Sequence, residues 1–256
     1  MKYKISALLL MATLVMAISC NTEKKENKFI VKGIVKNSKA EMVVLEEIIP
    51  TTLMPLALDS SIIGIDGSFF LETNFGPEKI YTLRFTNGIF PFASLINDAS
   101  PIIINADFSH TEDLYSVEGS ALSQTIKEIS SAYPKKWKNL YALRRVYDSL
   151  GKVKGPDSLV KKIYDQGDSA FADLKNGIYS YLNASSSAAF SWYLLRNFQQ
   201  IFTVEEYSAE LEKAEKKFEG NEMLKAARDR LNQQIADAIE KQKKENEKSN
   251  PAKPNP

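Results

Sequence analysis

The hydrophobic period of this chain changes once, near residue 119, and that switch decides what it can fold into. Before it, apolar residues come in short β-branched runs; after it, they recur every three or four positions. Eight runs precede the switch, at 28–36, 41–48, 57–65, 68–73, 79–85, 90–97, 101–107 and 114–118, with Gly, Pro, Asn and Asp at the breaks. Asp66-Gly67 between two such runs predicts a hairpin turn, because both turn positions tolerate positive φ. Val43-Val44-Leu45, Ile62-Ile63 and Ile102-Ile103-Ile104 lack alternation and predict strands covered on both faces. Strands at this spacing predict a β-sandwich over residues 28–119.

From Gly119 onwards the pattern predicts a helix over 120–132 capped by Ser120, a break at Pro134, and a second helix over 135–150 ended by Gly151. Gly155-Pro156-Asp157 starts the next, with proline and an acid in its first turn, and its stripe includes Leu159, Ile163, Phe171, Leu174, Ile178 and Leu182. Residues 186–201 read as a strongly apolar helix. Thr203 and Glu206 form a capping box ahead of a helix burying Tyr207, Leu211, Ala214 and Phe218. The last helix uses Leu224, Ala227, Leu231, Ile235 and Ile239. The expected fold class is α+β, an N-terminal antiparallel β-sandwich followed by a C-terminal helical region over 120–240. Residues 241–256, KQKKENEKSNPAKPNP, predict a disordered tail.

Cys20 is the only cysteine, and it follows Lys2, Lys4, an apolar stretch over 5–18 and the small Ser19. That order matches a charged n-region, an h-region and a cleavage site, so residues 1–19 read as a lipoprotein signal peptide with Cys20 as the lipid attachment point. Ala17 stands where a larger aliphatic residue is usual. The stretch is shorter than the 20 or so apolar residues that span a bilayer. Residues 20–27 then form a short charged tether. Asn21, in place of an aspartate, favours an outer-membrane protein facing the periplasm, with exposure at the cell surface left open.

Processing at Cys20 removes Lys2 and Lys4 from the 33 basic residues, leaving 31 against 32 acids and a net charge of −1. That balance does not suggest a nucleic-acid partner. Without a second cysteine there is no disulfide framework, no thiolate metal site and no Cys-x-x-Cys centre, so stability must come from core burial. His110, the single histidine, lies among Asp107, Glu112 and Asp113 in a polar turn, a spacing that matches no specific ligand pattern. No Gly-x-Ser-x-Gly elbow, Walker loop or Gly-x-Gly-x-x-Gly is present, and no cofactor is expected. Asp59-Ser60-Ser61 and Asp66-Gly67-Ser68 read as turn and strand-edge polar residues.

The one candidate surface is basic. Lys135, Lys136, Trp137, Lys138, Arg144 and Arg145 open a segment that continues through Lys152, Lys154, Lys161 and Lys162 against only Asp148 and Asp157. A cationic patch for anionic headgroups, an acidic glycan or an acidic partner is one reading. A solvated helix face balanced by acids elsewhere, such as those between Glu205 and Glu222, is the plainer one. Phe190, Trp192, Tyr193 and Phe198 read as helical core rather than a ligand cage.

Residues 28–130 resemble the domain-of-unknown-function 4369 family, found near the N-terminus of many Gram-negative lipoproteins. The resemblance is carried by Asp59-Ser60, by Gly67 with Phe69, and by Val117-Glu118-Gly119-Ser120. It implies a sandwich with following helices in an exported, lipid-anchored setting. In that family a thioredoxin-like domain with a Cys-x-x-Cys centre usually comes next. This sequence departs from that pattern and ends in Pro251-Ala252-Lys253-Pro254-Asn255-Pro256, so the family's redox activity does not carry over. The expectation is a non-enzymatic binding or interaction module of the cell envelope, held to the membrane by its lipid and partnered by another envelope protein. The alternatives are an accessory to a separate thioredoxin-like envelope oxidoreductase, and an enzyme working through carboxylates alone.

Overall fold

A computed structural model describes residues 28–110 and 112–249; Cys20, the signal segment, the tether and the last seven residues lie outside the described residues. All eight expected strands form: β1 (Lys28–Lys36), β2 (Met42–Ile48), β3 (Pro55–Ile62), β4 (Ser68–Asn74), β5 (Ile80–Phe85), β6 (Ala93–Ile96), β7 (Ile102–Asp107) and β8 (Tyr115–Glu118). They build two four-stranded sheets, in the orders β4-β1-β7-β8 and β3-β2-β5-β6. Five helices follow: α1 (Ala121–Lys152), α2 (Asp157–Ala184), α3 (Ala188–Asn197), α4 (Val204–Lys217) and α5 (Glu222–Ser249). The fold is α+β, with strands N-terminal and helices C-terminal.

The sandwich departs from the expected all-antiparallel form in one place. β1 and β7 run parallel, Val31 opposite Ile102 through Lys36 opposite Asp107, while every other pair is antiparallel. Gly33 permits that pairing, since a Cβ there would lie 1.6 Å from the Ile104 carbonyl oxygen.

The Asp66-Gly67 turn is a second departure. Gly67 takes the positive φ of 84° expected of it, and Asp66 Oδ1 accepts from the Ser68 amide and hydroxyl. Yet β3 and β4 belong to different sheets, so the turn is a corner and not a hairpin. Side chains replace the missing ladder there: Asp59 Oδ2 accepts from the Glu72 amide at 2.8 Å and Ser61 Oγ from the Phe70 amide at 3.1 Å. The exposed edge of β4 is thereby blunted.

Between the sheets lies one core, built on Phe29, Val31, Leu45, Leu71, Leu83 and Ile104. The outer face of the second sheet lies under a second core. Ile48, Ile80 and Ile96 join Ile126, Ile178, Trp192, Leu194 and Leu211 of the helices. The molecule is therefore three layers deep, sheet on sheet on helices. This explains why Val43, Val44 and Leu45 are all buried, as expected of a strand covered on both faces. The same expectation fails at Ile62, which is 74% exposed, and at Ile103, which is half-buried on the uncovered face of the first sheet.

The entry into the helices is tightly built. Ser120 caps α1, accepting from the Ser123 amide, and the Thr203–Glu206 capping box opens α4, both as expected. The buried Ser123 hydroxyl accepts from the Ile96 amide at 3.0 Å and donates to the Ile96 carbonyl, so a helix side chain pairs the outer edge of β6. Asp98 accepts from the Leu122 amide and the Ser120 hydroxyl.

Two boundaries shift. Pro134 does not break the helix but sits inside α1. Its missing N–H orphans the carbonyl of Ser130, an exposed residue where water can take the bond, while Tyr133 and Trp137 on either side are held against the helical core. At the C-terminus, α5 runs nine residues past the expected end at 240, where Glu240 and Lys244 pair at i,i+4. Its expected stripe is buried only as far as Leu231; Ile235 and Ile239 are exposed.

Ser123→Ala leaves the buried Ile96 amide without a partner and should destabilise the fold by about 1–3 kcal/mol in urea unfolding. Ser149→Ala, at an exposed serine of the same helix, should stay within about 0.5 kcal/mol of wild type. Equal stability of the two variants would contradict the assigned edge pairing.

Candidate functional site

Helices α1 and α2 form an antiparallel pair whose outer part leaves the body of the protein. The last buried residue of α1 is Tyr133 and the first of α2 is Leu174; between them no side chain is buried. Residues 134–152, at about 1.5 Å each, make an arm roughly 28 Å long. Its seam is apolar but half-covered, with Leu140, Leu143 and Tyr147 of α1 facing Ile163, Tyr164 and Phe171 of α2 around a groove of about 360 Å³. Tyr147 and Tyr164 meet there at 6.0 Å between ring centroids. The neighbouring Asp168 raises the Tyr164 phenol above its ordinary value, first by a hydrogen bond and then by its charge.

The arm tip is a tight turn. Gly155 N–H donates to the Leu150 carbonyl, and Lys154 adopts a φ of 50°. Val153 stands 71% exposed between Lys152 and Lys154, and Asp157 sits in the first turn of α2, where its charge favours the helix N-terminus.

The six expected patch residues do not face one way. Lys135 donates to Glu112 of the β7–β8 loop at 2.9 Å. Lys138 also lies in the field of Glu112, whose carboxyl is held below its ordinary value chiefly by Lys135. Lys136 turns to the α1–α2 seam, with its ammonium 5.2 Å from the Tyr133 ring centroid. Arg144 binds Asp148 at 3.1 Å and lies over Tyr147. Trp137 is half-buried against the helical core and stacks on Tyr141, which is 64% exposed. Arg145 is exposed and has no ion pair among the described residues.

The acids between 205 and 222 do not balance this patch. Glu206 pairs with Lys175, Glu210 with Lys213, Glu212 with Lys216 and Glu215 with Arg228. The counter-charges come instead from the β7–β8 loop, where Glu112 holds Lys135 and Asp113 holds Lys127. Sequence spacing carries no signal for that pairing, which spans the interface between the sandwich and the arm root.

His110 is exposed beside Asp107 and Ser109, and all three meet at one ring nitrogen. Its Nδ1 lies 3.1 Å from Ser109 Oγ and 3.5 Å from Asp107 Oδ2. A hydrolytic relay needs the serine and the acid on opposite ring nitrogens, so this cluster cannot pass a proton that way. Asp107 Oδ1 instead gathers Asn37 Nδ2 at 2.7 Å and the Ser109 amide and hydroxyl, which together hold its carboxyl far below the ordinary range, the Asn37 bond contributing most. The cluster is a loop staple. Among the described residues, no group of three His, Cys, Asp or Glu side chains is placed to hold a metal ion, and no helix is long and apolar enough to cross a membrane.

Because the folded value of Asp107 is depressed, its contribution to stability is complete above the ordinary carboxylate range and is lost as pH falls through the folded value. Asn37→Ala removes the largest cause. The Asp107 carboxyl resonance should then titrate closer to about 3.9, the ordinary aspartate value. An unchanged titration would show that Asn37 does not set it.

No protein-family model, no curated protein and no solved structure matches this chain.

Proposed function

We propose that this chain is an exported, lipid-anchored cell-envelope protein that works as a non-enzymatic interaction module, with the α1–α2 arm as its contact surface. The observation that carries the reading is the arm itself. Some forty residues between Tyr133 and Leu174 contain no buried side chain, yet they hold Tyr141 and Val153 in water near lysines and arginines, and Tyr164 beside Asp165 and Asp168. Exposed aromatic and aliphatic residues rimmed by charged groups are the composition of a docking surface. A half-covered seam of this kind is completed by a further apolar element laid along it.

The anchoring half of the proposal rests on the sequence around Cys20 and on the resemblance of residues 28–130 to the N-terminal domain of envelope lipoproteins. A diacylglycerol thioether on Cys20, with acylation of the new amine, would attach the chain firmly, since two or more acyl chains are needed for stable anchoring. Residues 20–27 would then hold the sandwich close to the membrane and leave the arm free to reach another envelope protein.

A photo-crosslinking residue at Tyr141 or Tyr164 in intact cells should give a discrete adduct that is absent when the same residue replaces Thr73 on the sandwich edge. Adducts from all three positions alike, or from none, would contradict the arm as the contact surface. A Cys-x-x-Cys protein in the adduct would assign the module to a thioredoxin-like oxidoreductase as its accessory. Cys20→Ser should abolish incorporation of labelled fatty acid; retained label would contradict lipid attachment at that residue.

A further inference from the structure

Away from the arm, α3, α4, α5 and the β2–β3 loop line a small, partly open cavity of about 70 Å³. Two arginines meet on it. Arg196 of α3 is half-buried, with its guanidinium 5.9 Å from the Trp192 ring centroid, and among the described residues it makes no hydrogen bond and no ion pair. Arg230 of α5 uses one nitrogen to donate to the carbonyls of Pro50 and Thr51, both at 2.6 Å. It too lacks a carboxylate partner; Glu222 and Asp229 line an open cleft beside it without reaching ion-pair distance. Two guanidinium groups thus face one confined space with no negative charge to balance them, and a buried or half-buried charge is normally paired.

One wall of the cavity is a strained loop. Ile49 and Leu53 close it through the Leu53 amide and the Ile49 carbonyl at 2.8 Å, and Leu53 takes a φ of 58°. A branched side chain seldom adopts that left-handed conformation, and such outliers persist where surrounding contacts over-determine them. Here the Arg230 clamp and the packing of Leu53 against the helical core hold it, so that Leu53 lines the cavity together with Trp192 and Tyr207.

We infer that this cavity is a binding site for a single small oxyanion, the phosphate or carboxylate group of a ligand, received by Arg196 and Arg230. The Arg196 guanidinium lies 5.9 Å from the Trp192 ring centroid, and among the described residues no protein acceptor takes any of its five N–H groups. Arg230 keeps donors beyond the nitrogen that holds the loop. Burial lowers the Arg196 pKa from its ordinary value; Tyr193 opposes that shift and the charge of Arg230 adds to it, an electrostatic situation that a bound anion relieves. The chamber is too small for more than one such group, so the rest of a larger ligand would extend past Arg230 into the adjacent cleft, of about 560 Å³.

The test is an NMR titration of the full chain, reading the Trp192 indole and Arg196 side-chain N–H signals, with ionic strength held constant by chloride. The probes are inorganic phosphate, acetate and a short-chain phosphatidylglycerol. Saturable shifts with phosphate or acetate are expected and assign a free anion; saturation with the phosphatidylglycerol alone assigns a lipid headgroup. Arg196→Met should weaken binding roughly tenfold to hundredfold, while Lys39→Met, at an exposed cation of the β1–β2 loop, leaves it unchanged. Arg230→Met also frees the loop, so Arg196→Met is the deciding variant, with its circular dichroism melt compared to wild type. Shifts that never saturate with any probe, or that Arg196→Met leaves in place in a folded protein, would overturn the assignment.

Discussion

The hydroxyl of Ser123 joins the two halves of this protein. Among the described residues β6 is the outer strand of its sheet, and the Ile96 N–H and C=O point away from its neighbour, β5. An edge left in that state is either wetted or recruited by another chain. Ser123 answers both groups from a helix, and Asp98 holds the first turn of that helix in place two residues further along. Gly119 makes the approach possible: its φ is 89°, and a Cβ there would lie 2.5 Å from the Pro101 carbonyl oxygen. Strand-edge protection, helix capping and the change of direction from sheet to helix are therefore one local arrangement.

Everything C-terminal builds on that start. Once α1 lies along β6 and β8, the outer face of the second sheet offers Ile48, Ile80 and Ile96 to the remaining helices. Glu78, just before β5, reaches the N-terminus of α3 and accepts from the Ser187 hydroxyl and the Ala189 amide, a carboxylate where the helix dipole favours one. Arg230 ties α5 to the β2–β3 loop. These polar ties fix where the helices sit, and burial of the shared apolar face supplies most of the driving force. Beyond Tyr133 the support thins to the Lys135 bond to Glu112 and to Trp137, Leu140 and Phe171 half-buried against the helical core, and past these the arm receives neither kind, which is why it stands out as a surface and not as a layer.

Local signals in the sequence carried the elements, and distance limited what could be read of their assembly. All eight strands, the Ser120 cap and the Thr203–Glu206 box follow from patterns a few residues long. Partner choice does not. Asp66-Gly67 encodes a reversal, but whether the two flanking strands pair is decided by Asp59 and Ser61 across the corner. The parallel β1–β7 pair joins segments some seventy residues apart, with Gly33 as its only local trace. Pro134 has a strong local reading as a breaker, overridden because Tyr133 and Trp137 both find packing in one continuous helix. At the candidate site, the sequence located the basic residues but not their directions. Lys135 meets Glu112 only because the β7–β8 loop folds against α1, and Arg196 and Arg230 lie in different helices without a shared motif.

Native-state hydrogen exchange across a denaturant series tests the central claim directly, namely that sandwich and helical layer are one cooperative body carrying an arm without a core. Amides of β1, β2, β5, β7, the first turns of α1 up to Tyr133, the α2 segment from Leu174, and α3 should open together with the same free energy and denaturant slope. Amides between about 140 and 170 should open earlier, with smaller slopes. Separate opening of the strands and of α3 as two units would contradict the shared body, and protection of the arm equal to that of α3 would contradict its standing free.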